Sequence, residues 1–256
     1  MPSPADLSAA ELLQAYRSRA LSPVEVVEAV IARIERCEPQ LKALYAYDPE
    51  AARAAALCAG QPRGQRWQAG QALGALDGVP VTIKENIATR GTPMPIGTAA
   101  RDLSPMPEDA PVAARLGEGG FVMLAKTTMP DYGMLSSGLS SFHELARNPW
   151  DVTKNPGGSS AGAASCAALT LGCLPRGTDG AGSVRIPAAF TGVVGLKPTY
   201  GRIPAWPVST MGFLAHLGPL TRTVTDCALA MNAIGRPDIR DMTAMIDRAP
   251  DYVDGL

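Results

Sequence analysis

The chain has little of several things that would narrow its class quickly. It holds only two histidines among 256 residues, aromatic residues make up 5%, and charged residues 18%. Neither sign of charge dominates: 23 Lys and Arg stand against 24 Asp and Glu, a formal net charge of −1. That balance supplies no electrostatic footprint for direct nucleic-acid binding or for an anionic membrane surface. No apolar run is long enough to span a bilayer. The start, Met1-Pro2-Ser3-Pro4-Ala5-Asp6, lacks the basic and apolar stretches of a secretory signal. Five cysteines (Cys37, Cys58, Cys166, Cys173, Cys227) are an odd number without metal-ligand spacing. They read as small buried groups in a reducing compartment, so the expected location is the cytoplasm.

An apolar share of 46% is enough for a packed core. The first fifty residues read as helical. Ser8-Ala9-Ala10-Glu11 and Ser22-Pro23-Val24-Glu25 are two capping boxes, the second with proline at the first helical position. Val26, Val27, Val30, Ile31 and Ile34 then repeat at helical spacing, and Asp48-Pro49 opens a third, alanine-rich helix. From Leu76 the pattern changes. Val79–Lys84 and Phe121–Lys126 are strand-like, with a helical segment near 110–117 between them. Thr191–Leu196 is another apolar run, and a last helix follows Thr223 as far as Ile234. Strands alternating with helices predict an α/β architecture.

Two loops of small residues carry the chemical signal: Asn155-Pro156-Gly157-Gly158-Ser159-Ser160-Ala161-Gly162 and Gly177-Thr178-Asp179-Gly180-Ala181-Gly182-Ser183-Val184-Arg185. Such loops let a substrate approach the backbone and let successive N–H groups converge on one anion. A hydroxyl beside them gives the two parts of acyl transfer, a nucleophile and an oxyanion hole. A plain surface linker is the competing reading. Gly158-Ser159-Ser160-Ala161-Gly162 also fits the nucleophile-elbow pattern, with Ser160 central. That motif needs a strand before it, and Lys154-Asn155-Pro156-Gly157 does not read as one. His143 and His216 are accordingly expected to be ordinary loop or core residues. The remaining base for a serine is lysine, and Lys84 ends an apolar strand-like run. At its ordinary pKa the neutral amine is well under a per cent of the population at pH 7, so burial must depress that value by several units.

The segments Leu76–Asn86, Asn148–Asp151, Pro156–Ser160, Gly177–Phe190 and Gly192–Arg202 together resemble the amidase signature family. Ser159 and Ser183 stand 24 residues apart, as that family spaces its two serines. The resemblance runs almost end to end and implies a mixed sheet flanked by helices. The N-terminal helices would lie at about 1–60 and a catalytic core at about 70–235, all within one domain, 1–256.

It further implies a Ser–Ser–Lys triad. Ser183 is then the nucleophile that forms an acyl-enzyme, Ser159 the bridging serine after a cis peptide from Gly158, and Lys84 the base. N–H groups across Gly180, Ala181, Gly182 and Ser183 would form the oxyanion hole. Asp179 and Arg185 would brace that loop, and Ser136 and Ser137 would line the substrate side. No metal or organic cofactor is called for. Ala161 and Ala181 depart from the family's glycines but keep the N–H groups.

Family members continue beyond the point matching Leu256, so the C-terminal portion of the family fold is expected to be absent here. The expected partner is a small amide substrate; a homo-oligomer or a completing partner chain is also admitted. Three functions follow as expectations. They are a stand-alone amidase, the A subunit of a tRNA-dependent amidotransferase that frees ammonia from glutamine, and an inactive truncated relative. The second ranks lower because Ser136–Ser141 lacks the Thr-Glu-Asn character associated with that amidotransferase component.

Overall fold

The computed structural model describes residues 3–60, 74–174, 176–209 and 211–256, with the side chains of 58–60 left aside. Both capping boxes form. Ser8 Oγ accepts from the Glu11 N–H at 3.2 Å and opens helix α1 (Ala9–Arg17), and Ser22 opens α2 (Pro23–Leu41) in the same way. Val26, Val27, Val30, Ile31 and Ile34 are all buried, as their spacing predicts. Strand β1 (Leu44–Tyr45) follows, and the Asp48 carboxylate then accepts from the Ala51 N–H at 2.9 Å at the start of α3 (Pro49–Gly60).

The central strand is β2 (Pro80–Lys84), whose five residues are all buried. Helix α4 (Pro111–Gly119) leads to β3 (Val122–Thr127). Helix α5 (Ala161–Ala168), β4 (Arg176–Asp179), α6 (Arg185–Thr191), β5 (Val194–Gly195), β6 (His216–Thr221) and α7 (Val224–Ile234) complete the order. The alanine-rich run from Ala161 is helical to Ala168, and Thr170 beyond it takes a positive φ of 52°. The run Thr191–Leu196 ends a helix and contributes only a two-residue strand.

The six strands lie in the order β1-β3-β2-β4-β6-β5. β2 is parallel to both β3 and β4, pairing Lys84 with Thr127 and Ile83 with Arg176, and the remaining pairs are antiparallel. From β2 the chain goes to β3 on one side, then crosses to β4 on the other. The direction of winding therefore reverses at β2, and the carboxyl ends of β2 and β4 open at one edge. In open α/β sheets that edge is where a crevice forms.

Helix α5 starts at this edge and is built of small residues. A Cβ on Gly162 would meet the Ala43 carbonyl oxygen at 2.1 Å and the Thr128 nitrogen at 2.7 Å. Only glycine admits so close an approach, and it fixes where the preceding Ser159 and Ser160 lie. The outer helices are tied together by Asp226, whose carboxylate accepts from the N–H groups of Ala9 and Ala10 at the start of α1 (3.2 and 3.1 Å). Cys166, Cys173 and Cys227 are buried free thiols. Cys37 is a correction: it is half-buried, on the rim of the core. The Cys58 side chain lies outside the described residues. Among the described residues no helix is long and apolar enough to cross a membrane.

Candidate active site

Lys84 is the last residue of β2 and is 0% exposed. Its Nζ lies 2.8 Å from Ser159 Oγ, 2.9 Å from Thr178 Oγ1 and 3.1 Å from Ser160 Oγ. All three neighbours are neutral hydroxyls. Burial therefore pulls the Lys84 pKa from 10.5 down to about 7, although the carboxylates of Glu85 and Asp179 push the other way. The three hydroxyls are not equivalent. Ser160 donates its own hydrogen to the Thr178 carbonyl at 3.1 Å, so it meets Lys84 only as an acceptor. Ser159 has no other described acceptor, and its hydrogen can be given to the lone pair of a neutral amine.

Ser159 is 2% exposed, and the Gly158–Ser159 peptide is cis. Gly158 has no room for a side chain, because a Cβ there would fall 2.3 Å from the Ser137 carbonyl oxygen. A Cβ on Gly177 would lie 2.6 Å from Ser160 Oγ, so that glycine too is cut to fit the site.

Beyond the end of β4 the chain turns around Asp179. Its fully buried carboxylate accepts from the Gly182 N–H at 2.7 Å, the Val184 N–H at 3.2 Å, and the Arg185 guanidinium at 2.9 and 3.0 Å. Burial alone would raise this pKa, but the Arg185 guanidinium and the two N–H groups outweigh it and hold the carboxyl at about 2. The loop 180–183 is thus braced by a charged pair, the role expected of these two residues. The brace also changes the expected oxyanion set. Gly182 turns its N–H inward to Asp179, whereas the N–H groups of Gly180, Ala181 and Ser183 have no protein acceptor among the described residues.

Ser159, Thr178, Asp179, Gly180 and Ser183 line one cavity of about 250 Å³. Lys84, Ser159 and Ser183 are therefore gathered at one edge of the sheet, although the hydroxyls of Ser159 and Ser183 are not hydrogen-bonded to each other. Ser136 and Ser137 do not line this cavity. Ser136 is exposed, and Ser137 instead abuts Gly158 through its backbone. Met94, Ile96, Arg101, Trp206, Val208 and Met211 also line the cavity. His216 lines it as well, from the first position of β6, so it is neither an ordinary loop residue nor a core one. The His143 side chain is 8% exposed, and its imidazole stands 2.8 Å from the Glu85 carboxylate.

Several partners escape a reading of the sequence. Ser160 and Thr178 hold the Lys84 amine, and Asn86 Nδ2 donates to Thr178 Oγ1 at 3.1 Å. Their signal was only adjacency to Ser159, Asp179 and Lys84.

A family model described as Amidase matches residues 25–253. The chain belongs to the amidase signature family. It is 42% identical over 239 residues to the A component of the glutamyl-tRNA(Gln) amidotransferase of Chloroflexus aggregans, covering 92% of this chain and 48% of that protein. The corresponding protein of Trichodesmium erythraeum is 36% identical, with 97% and 51% covered. Among solved structures, a bacterial aryl acylamidase of the amidase signature family superposes with a TM-score of 0.85 at 33% identity. The match covers 96% of this chain and 51% of that one. The peptide amidase of Stenotrophomonas maltophilia gives 0.83 at 30% identity, covering 96% and 52%. The mixed six-stranded sheet is thus that of amidase signature enzymes, and the chain spans about half the length of the curated relatives it matches.

Proposed function

We propose that the chain carries the acyl-transfer centre of an amidase, which converts a carboxylic amide to an acid and an amine or ammonia. The observation that carries this reading is a buried lysine amine 2.8 Å from Ser159 Oγ, beside the cavity that also holds Ser183. With its pKa near 7, roughly half of Lys84 is neutral at neutral pH. Once an acyl group is seated, the Ser183 hydroxyl closes on Ser159, as catalytic hydrogen bonds commonly tighten in the substrate complex.

Ser183 Oγ attacks the carbonyl carbon, its proton passes to Ser159, and the Ser159 proton passes to Lys84. The N–H groups of Gly180, Ala181 and Ser183 receive the developing oxyanion. As the C–N bond breaks, the lysinium proton returns through Ser159 to the leaving nitrogen. Water then attacks the ester, giving its proton to the same relay, and Ser183 recovers its hydrogen as the acid departs. A fluorophosphonate that forms a covalent bond with a reactive serine tests the assignment. Wild-type protein is labelled, Ser183→Ala is not, and labelling that persists elsewhere contradicts the reading.

The amidotransferase relatives favour a second reading, in which the same centre frees ammonia from glutamine for a larger amidotransferase assembly. Glutaminase activity that appears only with added partner chains decides for it. Val208, Phe213, Ile239, Met242 and Ile246 stand exposed, which supports a further polypeptide, a second copy or a different chain, covering them. The free thiols Cys166, Cys173 and Cys227 are consistent with a cytoplasmic enzyme.

A further inference from the structure

Glu85 follows the base directly in sequence and is as completely enclosed as Lys84, its side chain 0% exposed. Its N–H donates to the Thr127 carbonyl at 3.1 Å, which continues the β2–β3 pairing. Its Oε2 accepts from His143 Nε2 at 2.8 Å, while Oε1 has no hydrogen-bond partner among the described residues. A sealed carboxylate with one oxygen unmet is a costly thing to place in a core, and an apolar side chain would cost far less. The fold nonetheless holds it firmly. His143 packs edge-on against the rings of both Phe142 and Tyr45, with centroids 4.8 and 5.3 Å away, and its side chain is only 8% exposed.

The charges around this carboxylate show what it acts on. Asp179, at the end of β4, is the other anion near Lys84, but it is already paired with the Arg185 guanidinium and accepts from the N–H groups of Gly182, Val184 and Arg185. On β3, Lys126 is buried and hydrogen-bonded to the Ile87 carbonyl and Thr89 Oγ1, with Glu85 first and Asp109 second in its field. Tyr45 on β1 is half-buried and feels the Glu85 charge. Beyond His143, Glu35, Glu38, Lys42 and Glu144 line an outer groove, where Lys42 pairs with Glu144. Glu85 thus stands in the field of two buried amines, Lys84 beside it in sequence and Lys126 on β3, and Lys84 is the one whose hydrogen-bond partners are all side-chain hydroxyls.

We propose that Glu85, anchored by His143, is a positioning residue for the base: its fixed negative charge sets the pH range over which Lys84 takes up and releases a proton. This rests on the reading of Lys84 as the base. Burial disfavours the charged amine and makes Lys84 a weaker base. The Glu85 charge restores part of its basicity and keeps it near the working pH, where proton transfer is most effective.

The test is the pH dependence of fluorophosphonate labelling of Ser183 in the full 256-residue chain, from about pH 5 to 10. Glu85→Gln keeps the shape and removes the charge. Its labelling profile is expected to move about one pH unit lower, the size of effect of a neighbouring opposite charge. His143→Leu removes the hydrogen bond that anchors the carboxylate and is expected to move the profile in the same direction. His143→Gln keeps an N–H donor and restores the wild-type profile. If Glu85→Gln fails to fold, the comparison of the two His143 variants carries the test. Labelling that still depends on Ser183, with profiles that coincide in wild type and Glu85→Gln or in the two His143 variants, overturns this inference and leaves the base assignment standing. Labelling that does not depend on Ser183 overturns the amidase reading instead.

Discussion

Lys84 brings a cost that a purely structural residue would not, and the cost has a measurable sign. Its pKa is about 7 in the folded chain against 10.5 for an exposed lysine, and Lys126 is pushed down to about 7 by the same burial. Between those values the unfolded chain holds protons that the folded chain has released, so stability rises with pH. Each lysine contributes about 1 kcal/mol per pH unit through that window. The window closes at the alkaline end, where Cys166, Cys173 and Tyr16, held protonated by burial, act in the opposite direction. Urea unfolding between pH 7 and 9 is expected to show this rise, with about half the slope in Lys84→Met. An identical slope in the variant would place the effect elsewhere. Lys84 itself was legible because it ends an apolar strand-like run beside a recognisable loop set. Its partner Thr178 was not, because nothing local distinguishes a hydroxyl that faces an amine 94 residues away.

At the level of elements, legibility followed range. The starts of α1 and α2 are written in four consecutive residues each, and the stripe on α2 in a simple period. Strand β4 is different: Arg176-Gly177-Thr178-Asp179 has neither alternation nor an apolar run. It becomes a strand because β2 and β6 flank it, and β6 conceals itself with Gly218 and Pro219. Arg176 makes the tertiary override plain. It is 1% exposed, its guanidinium donates to the Leu174 carbonyl, and its Nε and one terminal nitrogen have no partner among the described residues. Burial pulls its pKa down, opposed by Cys227, and the Phe121 ring lies 6.0 Å from the guanidinium carbon. Replacing this charge with an apolar side chain removes the desolvation cost. Arg176→Leu is therefore expected to raise the unfolding free energy by about 1–3 kcal/mol in urea titration. A loss of stability would mean that the guanidinium is better satisfied than the structure indicates.

The whole molecule is what turns these parts into a site. Two parallel strands end at one edge because the winding reverses at β2, and a small-residue helix is pressed against that edge at Gly162. The residues so gathered, 84, 159, 178 and 183, were mostly visible as motifs. The wall from Ala205 to Leu217 and the Glu85–His143 pair were not, because each depends on how distant segments pack. Fifty-eight residues separate Glu85 from His143, and no local pattern joins them. The account turns on the fold's capacity to hold one lysine uncharged next to Ser159. An NMR titration of the Lys84 side-chain amine, assigned by comparison with Lys84→Met, measures this directly. The account predicts a midpoint near pH 7 in the folded chain, returning to about 10.5 in urea. A folded-state midpoint near 10.5 would contradict it.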